Sequence, residues 1–245
     1  MLRTHSLTKR FGAQTAVDSV DIAVRAGTLH AIIGPNGAGK TTLFNMLSGQ
    51  TRPTAGTIGF SERDITQLDM ADRSRIGIGR SFQRTNVFPK LTVFENVRLA
   101  AQSRTRRSFA AWERAAALTA VNARTESVLA DAGLLAHRTK TANELGGGDQ
   151  RLLELAITLA TDPVLLLLDE PSQGLSPADA HQLIDRIRLL AVRYTIVLIE
   201  HNMRLVMDLS DEITVMNLGR VLAHGTPAEI RADADVRAAY LGKRG

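Results

Sequence analysis

The string Gly34-Pro35-Asn36-Gly37-Ala38-Gly39-Lys40-Thr41 constrains this chain more than any other feature, because it fits G-x-x-x-x-G-K-[ST] and lies between two runs of opposite character. Thr28 to Ile33 (TLHAII) reads as a buried strand, and Thr42 to Leu47 reads as a helix. Strand, Gly-rich loop and helix in that order form a phosphate cradle. Glycines let successive backbone N–H groups turn inward around a β-phosphate, while the helix starting near Lys40 points its positive end at the same anion. Lys40 is placed to neutralise β- and γ-oxygens, Thr41 to offer a hydroxyl to Mg²⁺, and Thr42 to donate to an α-phosphate.

Asp169-Glu170 closes the apolar run Val164 to Leu168. That placement matters because ligands of open parallel sheets gather at the carboxyl ends of strands. An aspartate there can hold hydrated Mg²⁺, and the adjacent glutamate can polarise an attacking water. Val164 to Leu168 and Thr195 to Ile199 are continuous apolar runs, the pattern of strands buried on both faces in a mostly parallel sheet. Val20 to Val24 alternates apolar and polar, and with Gly56 to Phe60 it predicts a small antiparallel β subdomain.

From Thr92 to about Asp131 the composition turns to Ala, Leu, Glu and Arg, which predicts helices, and Thr92 with Glu95 forms a capping box. This helical insert is read as reaching about Ala160. Ser176 and Pro177 start another helix, and Ile213–Met216 and Arg220–Ala223 flank Asn217-Leu218-Gly219 as a hairpin. Thr226-Pro227-Ala228-Glu229 opens the last helix. The expected architecture is one α/β domain, a P-loop nucleotide-binding core with an inserted helical subdomain.

Composition narrows the chemistry. The absence of cysteine removes disulfide frameworks, zinc fingers, thiol nucleophiles and iron–sulfur clusters. Met1 to Arg10 lacks an apolar export core, so the protein is expected to stay inside, and the longest aliphatic run is far short of the roughly 20 residues a bilayer requires. Any membrane role must go through a partner. The net charge of +5 permits anionic ligands and is well below that of a dedicated nucleic-acid binder.

Taken with further motifs, the chain resembles the ATP-binding subunits of ABC transporters over nearly its whole length. Phe11 stands where that family places an aromatic that stacks on adenine. Gln83, in Ser81-Phe82-Gln83, resembles the glutamine that joins core to helical insert and reaches the metal. Leu145-Gly146-Gly147-Gly148-Asp149-Gln150-Arg151 is similar to the family's signature loop, and His201 to its switch histidine. The resemblance implies Glu170, His201 and Gln83 as catalytic residues, with His201 on the γ-phosphate. It implies Thr41, Gln83 and Asp169 around Mg²⁺, and Gly146, Gly147 and Gly148 facing the ATP bound by a second ATPase subunit, in a homo- or heterodimer. The implied core spans residues 1–84 and 161–245, and the helical subdomain with the signature loop spans 85–160.

The signature loop departs from the family at two places: Gly146 replaces the usual serine, and Asp149 stands where Gln or Glu is common. The loop keeps its backbone donors, loses a hydroxyl, and gains a carboxylate that suits the helix dipole but repels phosphate. The C-terminal half resembles the ATPases of branched-chain and other hydrophobic amino-acid importers, through Ile199-Glu200-His201-Asn202-Met203, His224-Gly225-Thr226-Pro227 and Ala239-Tyr240-Leu241-Gly242. That implies integral membrane permease subunits, an indirect link to a solute-binding protein, no nucleic acid, and a place on the cytoplasmic face of the membrane. Asn86, Phe88 and Pro89 resemble the groove for a permease coupling helix. The cluster Arg104, Arg106, Arg107 and Arg114 around Trp112 reads as a solvated helix face. Other readings remain at this point: a soluble ABC-type ATPase acting on DNA or ribosomes, an ABC ATPase serving urea or lipopolysaccharide, or a P-loop kinase.

Overall fold

The computed structural model describes residues 1–81, 87–104 and 119–241, except for the side chain of Leu241. In chain order its elements are β1 (Leu2–Phe11), β2 (Gln14–Val24), β3 (Leu29–Ile33), α1 (Lys40–Leu47), β4 (Ala55–Phe60), β5 (Arg63–Asp64), α2 (Met70–Arg75) and β6 (Ile78–Arg80). There follow α3 (Val93–Gln102), α4 (Thr119–Ala132), α5 (Gly147–Ala160), β7 (Leu165–Asp169), α6 (Pro177–Ala191) and β8 (Thr195–Ile199). The chain ends through α7 (Met203–Leu209), β9 (Glu212–Asn217), β10 (Arg220–Gly225), α8 (Pro227–Ala232) and α9 (Ala234–Leu241). Two units are distinct: one of residues 1–73, 165–170 and 191–245, the other of 74–164 and 171–190.

In the first unit every residue of β3, β7 and β8 is buried, as their unbroken apolar composition requires. The strand order is β10-β9-β3-β8-β7, with β3 parallel to β8 and β9, β7 parallel to β8, and only the β9–β10 hairpin antiparallel. Each fully buried Leu, Ile or Val contributes about 1.5–3 kcal/mol, so the register is firmly held. That register sets Asp169 beside Ile199 and Ile32 beside Ile199. The segments leaving β3, β7 and β8 therefore emerge at one edge.

The second sheet of this unit, in the order β2-β1-β4-β5, is antiparallel. Its β1 strand carries a register shift around Ser6, whose φ is +46°. Behind α1, Arg73 is fully buried and supplies donors to carbonyls in the last turn of that helix: Nη1 donates to Met46 O at 2.6 Å and Leu47 O at 2.7 Å. Its Nη2 donates to Ile65 O at 2.7 Å, and burial lowers the guanidinium pKa to about 10. A separate apolar group joins Ala31, Ile33, Val206, Ile213, Val215, Ile230 and Val236, with Tyr240 packed against it, so the last helices seal one face of the sheet.

The second unit is largely helical. Thr92 caps α3 with a full capping box, its hydroxyl accepting from Glu95 N. Asn96, 2% exposed, donates through Nδ2 to the carbonyls of Phe88, Leu91 and Thr92 and so shapes the segment entering that helix. Among the described residues no helix is long and apolar enough to cross a membrane.

Candidate active site

The glycine loop has the geometry its sequence predicts. Gly34 has φ +153°, and a Cβ there would lie 2.2 Å from Met216 O; Gly39, the N-cap of α1, has φ +97°, and its Cβ would lie 2.4 Å from Ala16 O. Both positions exclude a side chain, by left-handed backbone and by close approach together. Lys40, 5% exposed, donates from Nζ to Gly34 O at 2.7 Å and Pro35 O at 3.1 Å. Burial lowers the pKa of its ammonium, while the carboxylates of Glu170 and Asp169 act in the opposite direction. Tyr240 from α9 reaches the backbone of Gly34, and burial pushes its phenol up to about 12.

A cavity of about 550 Å³ opens in front of the loop. It is lined by Asn36 through Thr42 and by Glu170 and His201, the residues leaving β7 and β8. Asp169 ends β7 and is 3% exposed. Glu170 has φ +47°, a left-handed conformation costing a non-glycine residue about 1–2 kcal/mol, and its N–H donates to Ile199 O at 2.9 Å. Its Oε1 meets His201 Nε2 at 2.5 Å. Backbone strain at a carboxylate facing a cavity is the arrangement expected where chemistry, rather than folding, selects the residue.

The structure thus brings together Lys40, Thr41, Thr42, Glu170 and His201 around one space. Phe11, at the end of β1, is 54% exposed with Lys9 Nζ 5.1 Å from its ring centre, and it does not line that cavity. Gly146, Gly147 and Gly148 belong to the second unit, where Gly146 is the N-cap of α5. Gln83, Asn86, Arg106, Arg107, Trp112, Arg114 and Gly242 lie outside the described residues, whereas Arg104 donates to Arg75 O at 2.9 Å. Sequence reading missed that Gln14, Thr15, Leu218 and Gly219 also line the cavity. The hairpin turn at 217–219 was legible as a turn, but its Gly219 N–H donates to Ala38 O at 3.1 Å, a contact that no local pattern announces.

A parallel sheet whose first βα turn is this loop, with an acidic pair at the end of β7, one strand removed from β3, defines a P-loop nucleoside triphosphatase. The comparisons specify the branch. The ABC transporter family matches residues 17–173, and the branched-chain amino acid ATP-binding cassette transporter family matches residues 220–245. LivG of Salmonella typhimurium, a high-affinity branched-chain amino acid transport ATP-binding protein, is 41% identical over 99% of this chain and 98% of its own. A nucleotide-free ATP-binding cassette from an ABC transporter superposes with a TM-score of 0.86 at 29% identity, covering 99% of both chains. A structure of a cassette in its ADP conformation gives 0.84 at 29% identity over 99% of both chains. The chain belongs to the ABC transporter family: it is an ATP-binding cassette, an ATPase that powers transport.

Proposed function

We propose that this chain is the ATP-hydrolysing subunit of an importer of branched-chain or other hydrophobic amino acids. It sits at the cytoplasmic face of the membrane, held there by integral permease subunits, pairs with a second ATPase subunit, and is served indirectly by a solute-binding protein. The observation that carries the cargo is the match of residues 220–245 to the branched-chain cassette family, added to a match of the cassette itself.

We assign the roles from the sequence motifs, with the cavity at the glycine loop in support. Gly34 to Thr42 wrap the phosphates, with Lys40 exchanging the Gly34 and Pro35 carbonyls for phosphate oxygens, and Phe11 stacks on adenine. Thr41 and the buried Asp169 offer hard oxygen donors of the kind Mg²⁺ takes, so these two fit that ion, and Gln83, outside the described residues, is assigned to it on its motif alone. Held there, the ion would supply positive charge to offset that of the phosphates. Glu170 accepts a proton from the water whose oxygen attacks the γ-phosphorus, and the electron pair of the broken P–O bond leaves on ADP. His201, in contact with Glu170, holds that carboxylate and donates to the γ-phosphate. In the second unit, Gly146 to Gly148 at the start of α5 receive the γ-phosphate of ATP held by the other subunit, so that binding closes the pair and hydrolysis reopens it.

Purification from membranes through a tag on this chain is expected to bring down permease subunits. Cells whose only copy is Lys40→Ala should lose high-affinity uptake of labelled leucine. Copurification with ribosomes or DNA, or leucine uptake indifferent to the chain, would refute the proposal.

A further inference from the structure

The signature loop of this chain runs into a helix whose first turn carries a carboxylate, Asp149, and the structure shows what lies against it. Gly146 caps α5 without any side-chain hydrogen bond, at φ −66° and ψ 166°, which any residue can adopt, and a Cβ there would meet nothing within 4 Å. The hydroxyl is therefore missing by composition and not for want of room. Backbone N–H groups and the helix dipole remain as the loop's means of attracting an anion, and Asp149, in the first turn of α5, works against them. A second carboxylate stands close by: a Cβ on Gly148 would lie 2.6 Å from Asp179 Oδ1. Asp179 is occupied by Ser176, whose Oγ donates to Oδ2 at 2.7 Å.

Asp149 has a different neighbour. His137 Nδ1 lies 3.1 Å from Asp149 Oδ2, a close approach without hydrogen-bond geometry, with both side chains mostly covered. The imidazole stands on a fixed platform. Leu134 N–H donates to Leu129 O at 2.8 Å at the end of α4, Lys140 N–H donates to His137 O at 3.0 Å, and Arg138 O and Lys140 O accept from Phe94 and Val93 N–H on α3. Three helices of the unit are thus tied to the short segment that presents His137 to α5.

We infer that His137 is a positioning residue of the signature loop: its imidazole lies against the Asp149 carboxylate and holds it aside, so that a loop without the serine hydroxyl still receives a triphosphate. This rests on the proposed meeting of that loop with the other subunit's ATP. A carboxylate left alone at a helix start offsets the dipole's attraction for a second anion, an effect equivalent to roughly a two- to fivefold change in affinity.

The test is steady-state ATP hydrolysis by the full chain, together with the membrane subunits that copurify with it, across ATP concentration. His137→Ala should raise KM about two- to fivefold with kcat changed less than about twofold. Adding Asp149→Asn to that chain should return KM to the parent value, a rescue that loss of mere packing by His137 would not allow. An unchanged KM in His137→Ala, or a raised KM that Asp149→Asn fails to relieve, overturns the inference. Gly147→Asp separates the two levels, since a Cβ at Gly147 meets only Leu175 Cδ2, at 4.0 Å. A carboxylate placed there should abolish turnover, and turnover at the parent rate would show instead that the signature-loop reading itself is wrong.

Discussion

Lys40 and Glu170 face the same cavity and are expected to fail in different ways. Lys40 Nζ holds two carbonyls of its own loop, so a phosphate must offer more than those bonds do, and the charge of the ammonium is what makes the exchange favourable. Lys40→Ala should weaken Mg·ATP affinity about ten- to a hundredfold, the range for a hydrogen bond between charged groups. Equilibrium titration with a fluorescent nucleotide reads this directly. Glu170→Gln keeps the side-chain shape and the loop intact. It should leave affinity near the parent value and slow single-turnover hydrolysis by about 10² to 10⁴. Comparable losses of binding in both variants would mean that the carboxylate holds nucleotide and does not activate water.

Among the elements, β3 and the β9–β10 hairpin share a chain of polar groups that runs from buried His30 out to exposed His224. His30, fully buried on β3, has Nε2 2.8 Å from Thr214 Oγ1 on β9, and that oxygen lies 3.2 Å from His224 Nδ1 on β10. The two imidazoles stack with centroids 5.5 Å apart, Glu212 Oε2 is 3.7 Å from His30 Nδ1, and Arg25 pairs with Glu212. Burial, with smaller contributions from His224 and Arg25, lowers the His30 pKa to about 4. The folded state then binds fewer protons than the unfolded state between the ordinary histidine pKa and about 4, so stability falls as pH falls through that window. The loss between pH 7 and pH 5 should be about 2 kcal/mol. Urea unfolding at the two pH values checks it, and His30→Gln should flatten the difference; a slope that survives the substitution would place its origin elsewhere. Local spacing made several elements readable, among them the Thr92 and Thr226 capping boxes and the β9–β10 hairpin. It did not reveal β1, because the shift around Ser6 breaks the alternation that would have marked Leu2–Phe11 as a strand.

For the whole molecule, the legible and illegible parts separate by distance along the chain. The P-loop and the acidic pair are contiguous strings with strong steric and electrostatic requirements, so residues 34–41 and 169–170 could be read directly. What joins them is non-local: His201 meets Glu170 across 31 positions, and the hairpin turn closes on Ala38 from the far end of the chain. The His137–Asp149 contact spans only twelve positions, yet it depends on how α3, α4 and α5 pack. A chain held to the membrane only through partners should be released from membrane vesicles by an alkaline carbonate wash without detergent. Retention in the pellet after that wash would contradict peripheral attachment.

The left-handed backbone at Glu170 leaves one more mark. Glycine adopts that conformation without the steric cost a larger residue bears, so Glu170→Gly should melt no lower than the parent although a side chain has been removed. Calorimetry would then show a thermally robust enzyme that has ceased to turn over. Selection for heat resistance alone would drift toward that sequence, and a thermostabilisation campaign blind to activity would recover it as a success.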